Sequence, residues 1–517
     1  MTYDELTKIF PGLVKSHKDQ WHLVIDHNDF TATAVKCVKE MGFSLSLLYA
    51  TDDSASQKGF GIHAVLSQSA EPAWFTISTQ LNDEHPTYQS LTTQIMASHW
   101  YERYLMDMFG IEAMNHPDGR RLVHHENIPE KTYPLRKEFK WDTKLAHANV
   151  AYPMHHVEGE GIYEIPVGPI HAGIIEPGHF RFNVAGERII TLEGKLFFTH
   201  KGVEKLLEGK TPSEALPFIE RLSGDMAASH ALAFCQAVEK ICSTDVPLRA
   251  QMIRSLVCEL ERITMHIHDL ANIAGMGTGY TVMAAQGFRI KERLMRLSQT
   301  IFGNRFWRGF IIPGGVLREF TSEERLLMKE TTQEAVREML SLIKMAMLSD
   351  GLRERLETTG ILQKEAAVAY GAVGLPARAS GVNKDVRTDH PYAGYGQLPF
   401  TQISATDGDV YARYRCRFEE LDVSLEMILA ALDKHQNTKI QTDVLVKDGN
   451  ALSAVESWRG EIMTVVHLKD GVIDRCMPRD PSFCNWALFG EIGPGNIVPD
   501  FPLCNKSLNL SYSGNDL

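Results

Sequence analysis

The first 140 residues alternate between short apolar runs and polar turns. Four β-rich runs stand out, namely WHLVIDH, FSLSLLYATDD, GIHAVLSQS and AWFTISTQL. The next apolar stretch, SLTTQIMASHWYERYLMDMFGI, has apolar residues at helical spacing and predicts one long helix. The pattern therefore predicts an α/β domain over residues 1–140, and its last part is rich in charge, His and Pro.

A second pattern follows residues 141–165, which show no clear period and are predicted to be a linker. Two β-like runs, HFRFNV and RIITLEGKLFFTH, come first, and long amphipathic helices follow. One of these helices, LRAQMIRSLVCELERITMHIHDLANIAG, carries a single apolar stripe. Another opens with Thr321 and Glu324 at capping-box spacing. Residues 166–517 are thus predicted to form a mainly helical second domain, so that the fold class is α+β.

The composition excludes some classes of function but does not identify the function. The 517 residues are 44% hydrophobic and 23% charged, which is ordinary for a globular protein. A net charge of -12 argues against nucleic-acid binding. No run approaches the roughly 18 apolar residues of a membrane span, and the first residues show no signal-peptide pattern. We therefore expect a cytoplasmic location, with any membrane association made through a partner.

The sequence also lacks several common cofactor signatures. None of the eight cysteines is spaced as Cys-x-x-Cys, so neither a zinc site nor a disulfide framework is indicated. No Gly-rich dinucleotide fingerprint follows a strand, so we expect any NADH to be bound by another subunit. We expect this chain to bind no metal and no cofactor of its own.

Motifs in the first domain resemble those of a respiratory enzyme. The stretches YERYLMDMFGI (101–111), HPDGRRL (116–122) and YPLRKEF (133–139) are similar to the 30 kDa subunit of respiratory complex I. The resemblance implies that residues 1–140 share the fold of that subunit.

Motifs in the second domain resemble the large subunit of energy-converting nickel–iron hydrogenases, a relative of the complex I 49 kDa subunit. They are PVGPIHAGIIEPGHFRF (166–182), HKGVEK (200–205), CELERITMH (258–266), PGGV (313–316) and VESWRGE (455–461). Both domains fused in this order resemble the large subunits of formate hydrogenlyase and hydrogenase-4.

The resemblance also locates the positions of the hydrogenase metal ligands. Such hydrogenases hold nickel and iron with two cysteines after an "ER" pair and two more near the C-terminus. Here these positions are Ser223, Met226, Ser511 and Gly514. Because nickel requires soft thiolate ligands, we expect the nickel–iron site to be absent. The complex I relative uses the same cavity for a quinone, but its Tyr position falls on Gly224.

The loop PVGPIHAGIIEPGHFRF faces that cavity in the relatives, which makes its titratable residues candidates. In complex I a histidine contacts the quinone headgroup, and here both His171 and His179 are candidates for that role. We favour His179. Glu176 would line a proton or substrate route with them. The alternative is that all three only stabilise a β-hairpin.

Arg459 in VESWRGE is the other candidate for the cavity. Its guanidinium would reach over the cavity while Glu456 and Glu461 hold it in place. The alternative is a buried Arg–Glu network that stabilises the second domain. A hydrolase triad of Ser223, Asp225 and His230 is disfavoured, because nothing in the sequence places an oxyanion hole beside it.

The resemblance implies a subunit in the peripheral arm of a membrane complex, on the cytoplasmic face of the inner membrane. An iron–sulfur small subunit would supply electrons, antiporter-like membrane subunits would translocate ions, and a quinone would be the acceptor. The alternative is a non-catalytic structural subunit that preserves the shape of the arm.

Overall fold

The computed structural model describes residues 1–69, 71–82, 84–171, 175–433 and 439–517. The N-terminal domain contains α1 (Tyr3–Ile9), β1 (Val14–His17), β2 (Gln20–Val24), α2 (His27–Lys39), β3 (Ser44–Asp52), β4 (Phe60–Gln68), β5 (Glu71–Leu81), β6 (Thr87–Gln89), α3 (His99–Phe109) and β7 (Glu112–Met114).

One five-stranded sheet organises this domain, in the order β1-β2-β5-β4-β3. Strands β2 and β5 pair in parallel, and the other neighbours pair antiparallel. The four predicted strands are therefore confirmed, and the helices α2 and α3 contact β5 and β3 respectively.

The long helix predicted over residues 90–111 is shorter than expected and begins at His99. The carboxylate of Glu102 explains the difference. It accepts hydrogen bonds from the hydroxyl of Ser90 (2.6 Å), the backbone N–H of Leu91 (2.7 Å) and the hydroxyl of Thr92 (2.6 Å). These bonds hold residues 90–92 in a turn, where a side chain takes the place of helix hydrogen bonds.

The second domain begins with a small sheet and continues through a helix bundle. Its elements are β8 (Ile162–Val167), β9 (His179–Ala185), β10 (Arg188–Lys195), α4 (Val203–Leu207), α5 (Pro212–Ile219), α6 (Ala227–Cys242), α7 (Leu248–Asn272), α8 (Thr281–Phe302), β11 (Ile311–Ile312), β12 (Gly315–Val316), α9 (Ser322–Ala346), α10 (Asp350–Leu356), α11 (Lys364–Ala369), α12 (Leu375–Ala379), α13 (Val386–Asp389), α14 (Val410–Asp433), β13 (Gly449–Glu456), β14 (Glu461–Lys469), β15 (Val472–Arg479), α15 (Pro481–Asn485), α16 (Phe489–Ile492), α17 (Phe501–Leu508) and α18 (Tyr512–Asp516).

Helix α7 lies at the centre of the bundle and packs against α8 and α14. It is buried around most of its circumference, as expected for a helix surrounded by others. Helix α9 starts with the predicted capping box, in which the side chains of Thr321 and Glu324 bond to each other's backbone N–H groups. The antiparallel sheet β13-β14-β15 was not predicted from the sequence, and α6 packs against it.

The apolar core of the N-terminal domain continues into the second domain. Phe180 and Phe182 on β9 and Trp486 near the C-terminus belong to the same buried cluster as Trp74 on β5. The predicted linker connects the two parts without a helix, and β8 begins inside it at Ile162. None of the helices in the described ranges combines the length and the apolar character that a membrane span requires.

Candidate functional site

Three distant segments meet at the N-terminal end of α6. They are the turn 223–226 before this helix, the loop between β13 and β14, and the C-terminal residues 509–514. The hydroxyl oxygen of Ser223 lies 3.1 Å from the hydroxyl of Ser511 and 3.0 Å from Asp225 Oδ1. The fold therefore brings together two of the positions predicted from hydrogenase cysteines, although 288 residues separate them in the chain.

Ser511 has a local structural role at this junction. It is the N-cap of α18, and its hydroxyl accepts a hydrogen bond from the backbone N–H of Gly514 (2.9 Å). Serine is among the residues preferred at this position because its side chain satisfies a free N–H of the first turn. The third position, Met226, is completely buried just before α6.

The residues at these four positions do not fit a nickel–iron centre. They offer two hydroxyls, one thioether and a glycine, whereas the metals need thiolates. A Cβ atom added at Gly514 would lie only 2.4 Å from Asp480 Oδ2, so a carboxylate already fills the space of a fourth ligand. Among the residues the structure describes, no group of three or more His, Cys, Asp or Glu side chains could hold a metal ion.

Asp480 and His230 form a buried pair beside Gly514 that sequence reasoning missed. His230 Nε2 lies 3.0 Å from Asp480 Oδ2, and the other carboxylate oxygen accepts a hydrogen bond from the Ser482 N–H (2.8 Å). Burial alone would raise the pKa of Asp480. The hydrogen bond from His230 and the charges of His230 and Arg459 outweigh burial and lower that pKa. The Ser223 hydroxyl bonds to Asp225 and Ser511, and the second ring nitrogen of His230, Nδ1, has no hydrogen-bond partner among the described residues, so the serine–histidine bond of a hydrolase triad is not formed.

Arg459 is held by Asp225. Its two terminal nitrogens donate to the two carboxylate oxygens of Asp225 at 2.6 and 2.8 Å, and its Nε donates to the carbonyl of Asn509. Burial would raise the pKa of Asp225, but the charge and hydrogen bonds of Arg459 outweigh burial and hold it below its usual value. The Arg459 guanidinium also lies 4.0 Å from the centre of the Trp458 ring, a cation–π contact.

The prediction that Glu456 and Glu461 hold Arg459 is wrong. These two glutamates lie opposite each other on β13 and β14. Glu456 accepts a hydrogen bond from Arg378 (2.7 Å), and Glu461 pairs with Arg479. Arg459 sits on the loop between the two strands, where it faces Asp225 instead.

Gly224 provides open space beside this buried cluster. The residue is exposed, and among the described residues a Cβ atom built on it would meet only Arg308 Nη2, at 4.0 Å. Its φ angle lies outside the left-handed region, so other residues fit the same backbone. The turn formed by the exposed Gly224 and the partly buried Asp225 thus connects the buried hydroxyls with the molecular surface.

The loop before β9 reaches the same region through Glu176. This side chain accepts a hydrogen bond from the backbone N–H of Ser513 at 3.0 Å. His171 Nε2 lies 2.7 Å from the carbonyl of Gly178, and His179 Nδ1 lies 3.3 Å from that of Gly168. The two histidines therefore brace the loop itself, and the choice between them stays open. Residues 172–174 lie outside the described part of this loop.

Comparison with known families gives three matches along the chain. The profile of the respiratory-chain NADH dehydrogenase 30 Kd subunit matches residues 23–144. The nickel-dependent hydrogenase profile matches residues 201–274, and that of the NADH dehydrogenase 49 Kd subunit matches residues 277–446. The hydrogenase match includes positions 223 and 226 but ends before positions 511 and 514.

Similar chains extend over most of the sequence. Formate hydrogenlyase subunit 5 of Escherichia coli strain K12 is 30% identical over 524 residues, covering 99% of this chain and 92% of the relative. Hydrogenase-4 component G of the same strain is 31% identical over 483 residues, covering 91% of this chain and 83% of the relative. One chain of the membrane-bound sulfane sulfur reductase, an archaeal respiratory membrane complex, matches with a TM-score of 0.65 and 25% identity, over 70% of this chain and 100% of that chain.

Proposed function

This chain belongs to the family of large subunits that includes formate hydrogenlyase subunit 5 and hydrogenase-4 component G, and from that relationship we propose its function. It is the large subunit of the peripheral arm of a membrane-bound, complex I-like oxidoreductase. It works without a nickel–iron centre and passes electrons from an iron–sulfur partner to a quinone-like acceptor, coupled to ion translocation.

One observation carries the proposal. The four positions that correspond to hydrogenase ligands meet in space or border one another, yet they carry side chains unsuited to nickel. This arrangement supports our proposal that the framework is kept while the ligands are exchanged, so that the chemistry changes within the same type of complex.

The surroundings of Gly224 support a quinone-like acceptor. A quinone headgroup accepts hydrogen bonds at its two carbonyl oxygens, and reduction consumes two electrons and two protons. The Ser223 hydroxyl and the Arg459 guanidinium are donors beside the open turn, and Arg459 would stabilise the negative charge that develops on the ring. Glu176 lies within the same group of segments, where its carboxylate accepts a hydrogen bond from the backbone N–H of Ser513.

The same cluster favours a second candidate, a non-catalytic structural subunit. Ser223, Asp225, Arg459 and Ser511 already hydrogen-bond to one another, so they join the segments even without any ligand. Partner contacts would then be the main role of the chain. In either case we propose attachment to the cytoplasmic face of the cell membrane through an iron–sulfur small subunit and antiporter-like membrane subunits.

The two candidates are separated by an assay on the assembled complex from solubilised membranes. Reduced methyl viologen supplies electrons, and reduction of a short-chain quinone and evolution of hydrogen are measured together. The proposed function predicts quinone reduction without hydrogen evolution. If the dye reduces the iron–sulfur clusters but the quinone stays oxidised, the structural role is the correct one.

A further inference from the structure

Trp458 is buried on the loop between β13 and β14 and contacts two parts of the candidate site at once. Its ring nitrogen Nε1 donates a hydrogen bond to the backbone carbonyl of Asp225 at 3.0 Å. The centre of the same ring lies 4.0 Å from the guanidinium carbon of Arg459. One indole side chain therefore contacts both members of the Asp225–Arg459 ion pair.

The hydrogen bond of Trp458 fixes the turn that borders the open space at Gly224. The backbone N–H of Met226 donates to the carbonyl of Ser223 at 3.2 Å, so residues 223–226 form a four-residue turn with Gly224 and Asp225 in the middle. The Asp225 carbonyl has no partner within that turn, and Trp458 supplies one. Because glycine leaves the backbone unusually free, this bond restricts the orientation of the turn.

The ring face of Trp458 limits where the Arg459 guanidinium can point. Of the five N–H groups of this arginine, the one on Nε bonds to the Asn509 carbonyl, those on Nη1 bond to Asp225 and Ser223, and one on Nη2 bonds to Asp225. Within the described residues, the second N–H of Nη2 has no acceptor. A substrate that leaves the present bonds intact can use only this N–H, so the orientation of the planar group decides whether the bond forms.

The backbone of this loop is held in place independently of the Trp458 side chain. Arg262 on α7 donates a hydrogen bond to the carbonyl of Ser457 at 2.9 Å. On another side, a Cβ atom added at Gly374 would lie 2.1 Å from the carbonyl oxygen of Arg459, so the two backbones are in direct contact. Because the loop backbone is fixed in this way, a change at Trp458 alters the support of the guanidinium rather than the path of the chain.

We propose that Trp458 is a positioning residue of the acceptor site, an inference that rests on the proposed function. Its N–H fixes the turn beside the acceptor headgroup, and its ring face orients the Arg459 guanidinium toward the negative charge that develops on the acceptor. Trp458 takes no part in the chemistry and acts only through Asp225 and Arg459. A purely structural tryptophan would instead change the amount of folded complex and leave the turnover of each complex unchanged.

The test measures quinone reduction by the assembled complex from solubilised membranes, with reduced methyl viologen as the donor and turnover expressed per complex. Trp458→Phe keeps an aromatic face and removes the N–H, so kcat should fall about tenfold while KM changes less than about twofold. Trp74→Phe on β5 is the matched control, because Trp74 is equally buried (1% exposed) and loses the same ring atoms, and it should retain the wild-type kcat. Wild-type kinetics of Trp458→Phe would overturn the inference alone. Absence of quinone reduction by the wild type would overturn the proposed function, and this inference with it.

Two further variants separate the hydrogen bond from the ring contact. Benzothienylalanine at position 458, introduced at an amber codon, replaces the N–H by sulfur and keeps the shape of both rings, so it tests the hydrogen bond even if Trp458→Phe fails to assemble. We expect kcat to fall about threefold. In an Arg459→Lys background the effect of Trp458→Phe should shrink to about threefold, because lysine lacks the planar group that the ring orients. Wild-type kinetics with benzothienylalanine, or an undiminished effect in the Arg459→Lys background, would overturn the inference.

Discussion

Replacing Gly224 by tyrosine tests the acceptor site with little cost to folding. The glycine is exposed and its φ is not left-handed. Within the described part of the chain, a Cβ atom there meets only Arg308 Nη2 at 4.0 Å, an ordinary contact. Surface substitutions of this kind change stability by no more than about 0.5 kcal/mol. We therefore expect Gly224→Tyr to accumulate and assemble like the wild type.

The effect on turnover should be much larger, because the ring would fill the space that we assign to the acceptor headgroup. Excluding the headgroup from its donors should lower kcat/KM for quinone at least about 100-fold, which corresponds to about 2.7 kcal/mol of lost transition-state stabilisation. Gly224→Ala adds only one methyl group into open space and should retain most of the activity.

The assay measures complex abundance and quinone reduction in the same membrane preparation. Gly351→Tyr is the matched control, because Gly351 is also exposed, lacks a left-handed φ and has no atom of a described residue within 4 Å of a built Cβ. Full turnover of Gly224→Tyr at normal abundance would refute the acceptor assignment. Loss of assembly in Gly224→Tyr but not in Gly351→Tyr would instead make Gly224 part of a subunit interface.

Three further predictions concern the packing at Gly514, the ion pair of Arg459 with Asp225, and the assembly of the complex. Gly514→Ala should lower the melting temperature, because the added Cβ would lie 2.4 Å from Asp480 Oδ2 and such overpacking costs about 1–3 kcal/mol. An unchanged melting temperature would contradict this packing. Arg459→Met should destabilise the chain by about 1–3 kcal/mol, which is less than for a fully buried pair because the Asp225 side chain is 30% exposed. In a double-mutant cycle of thermal melts, adding Asp225→Asn should recover part of this loss. Additive losses would show that Arg459 and Asp225 are not coupled. The chain should co-purify from solubilised membranes with an iron–sulfur small subunit and an antiporter-like subunit, and its recovery as a free monomer from cells that express all partners would contradict this assembly.

Local patterns in the sequence were sufficient to predict much of the fold. Alternating apolar residues predicted β2 to β5, and the capping box at Thr321 predicted the start of α9. The predicted start of α3 was wrong, because the carboxylate of Glu102 accepts hydrogen bonds from a turn about ten residues earlier in the chain. The spacing of apolar residues carries no information on such a bond. The sheet β13-β14-β15 was missed, although its strands pair in regular register over most of their length.

The site was only partly accessible from sequence, because its residues come from segments far apart in the chain. The family resemblance pointed to Ser223 and Ser511, and the fold places their hydroxyls 3.1 Å apart. It gave no hint that Asp225 would pair with Arg459, since Glu456 and Glu461 were much closer in sequence. Asp480 was likewise missed, because its relation to Gly514 exists only in three dimensions.

We propose that this family member keeps the framework of a hydrogenase large subunit but lacks its metal centre. Elemental analysis of the purified, assembled complex, normalised to the amount of this chain, tests it most directly. We expect no stoichiometric nickel and no hydrogen evolution from the same sample, because Ser223, Met226, Ser511 and Gly514 supply no thiolate. One nickel per chain would contradict this proposal.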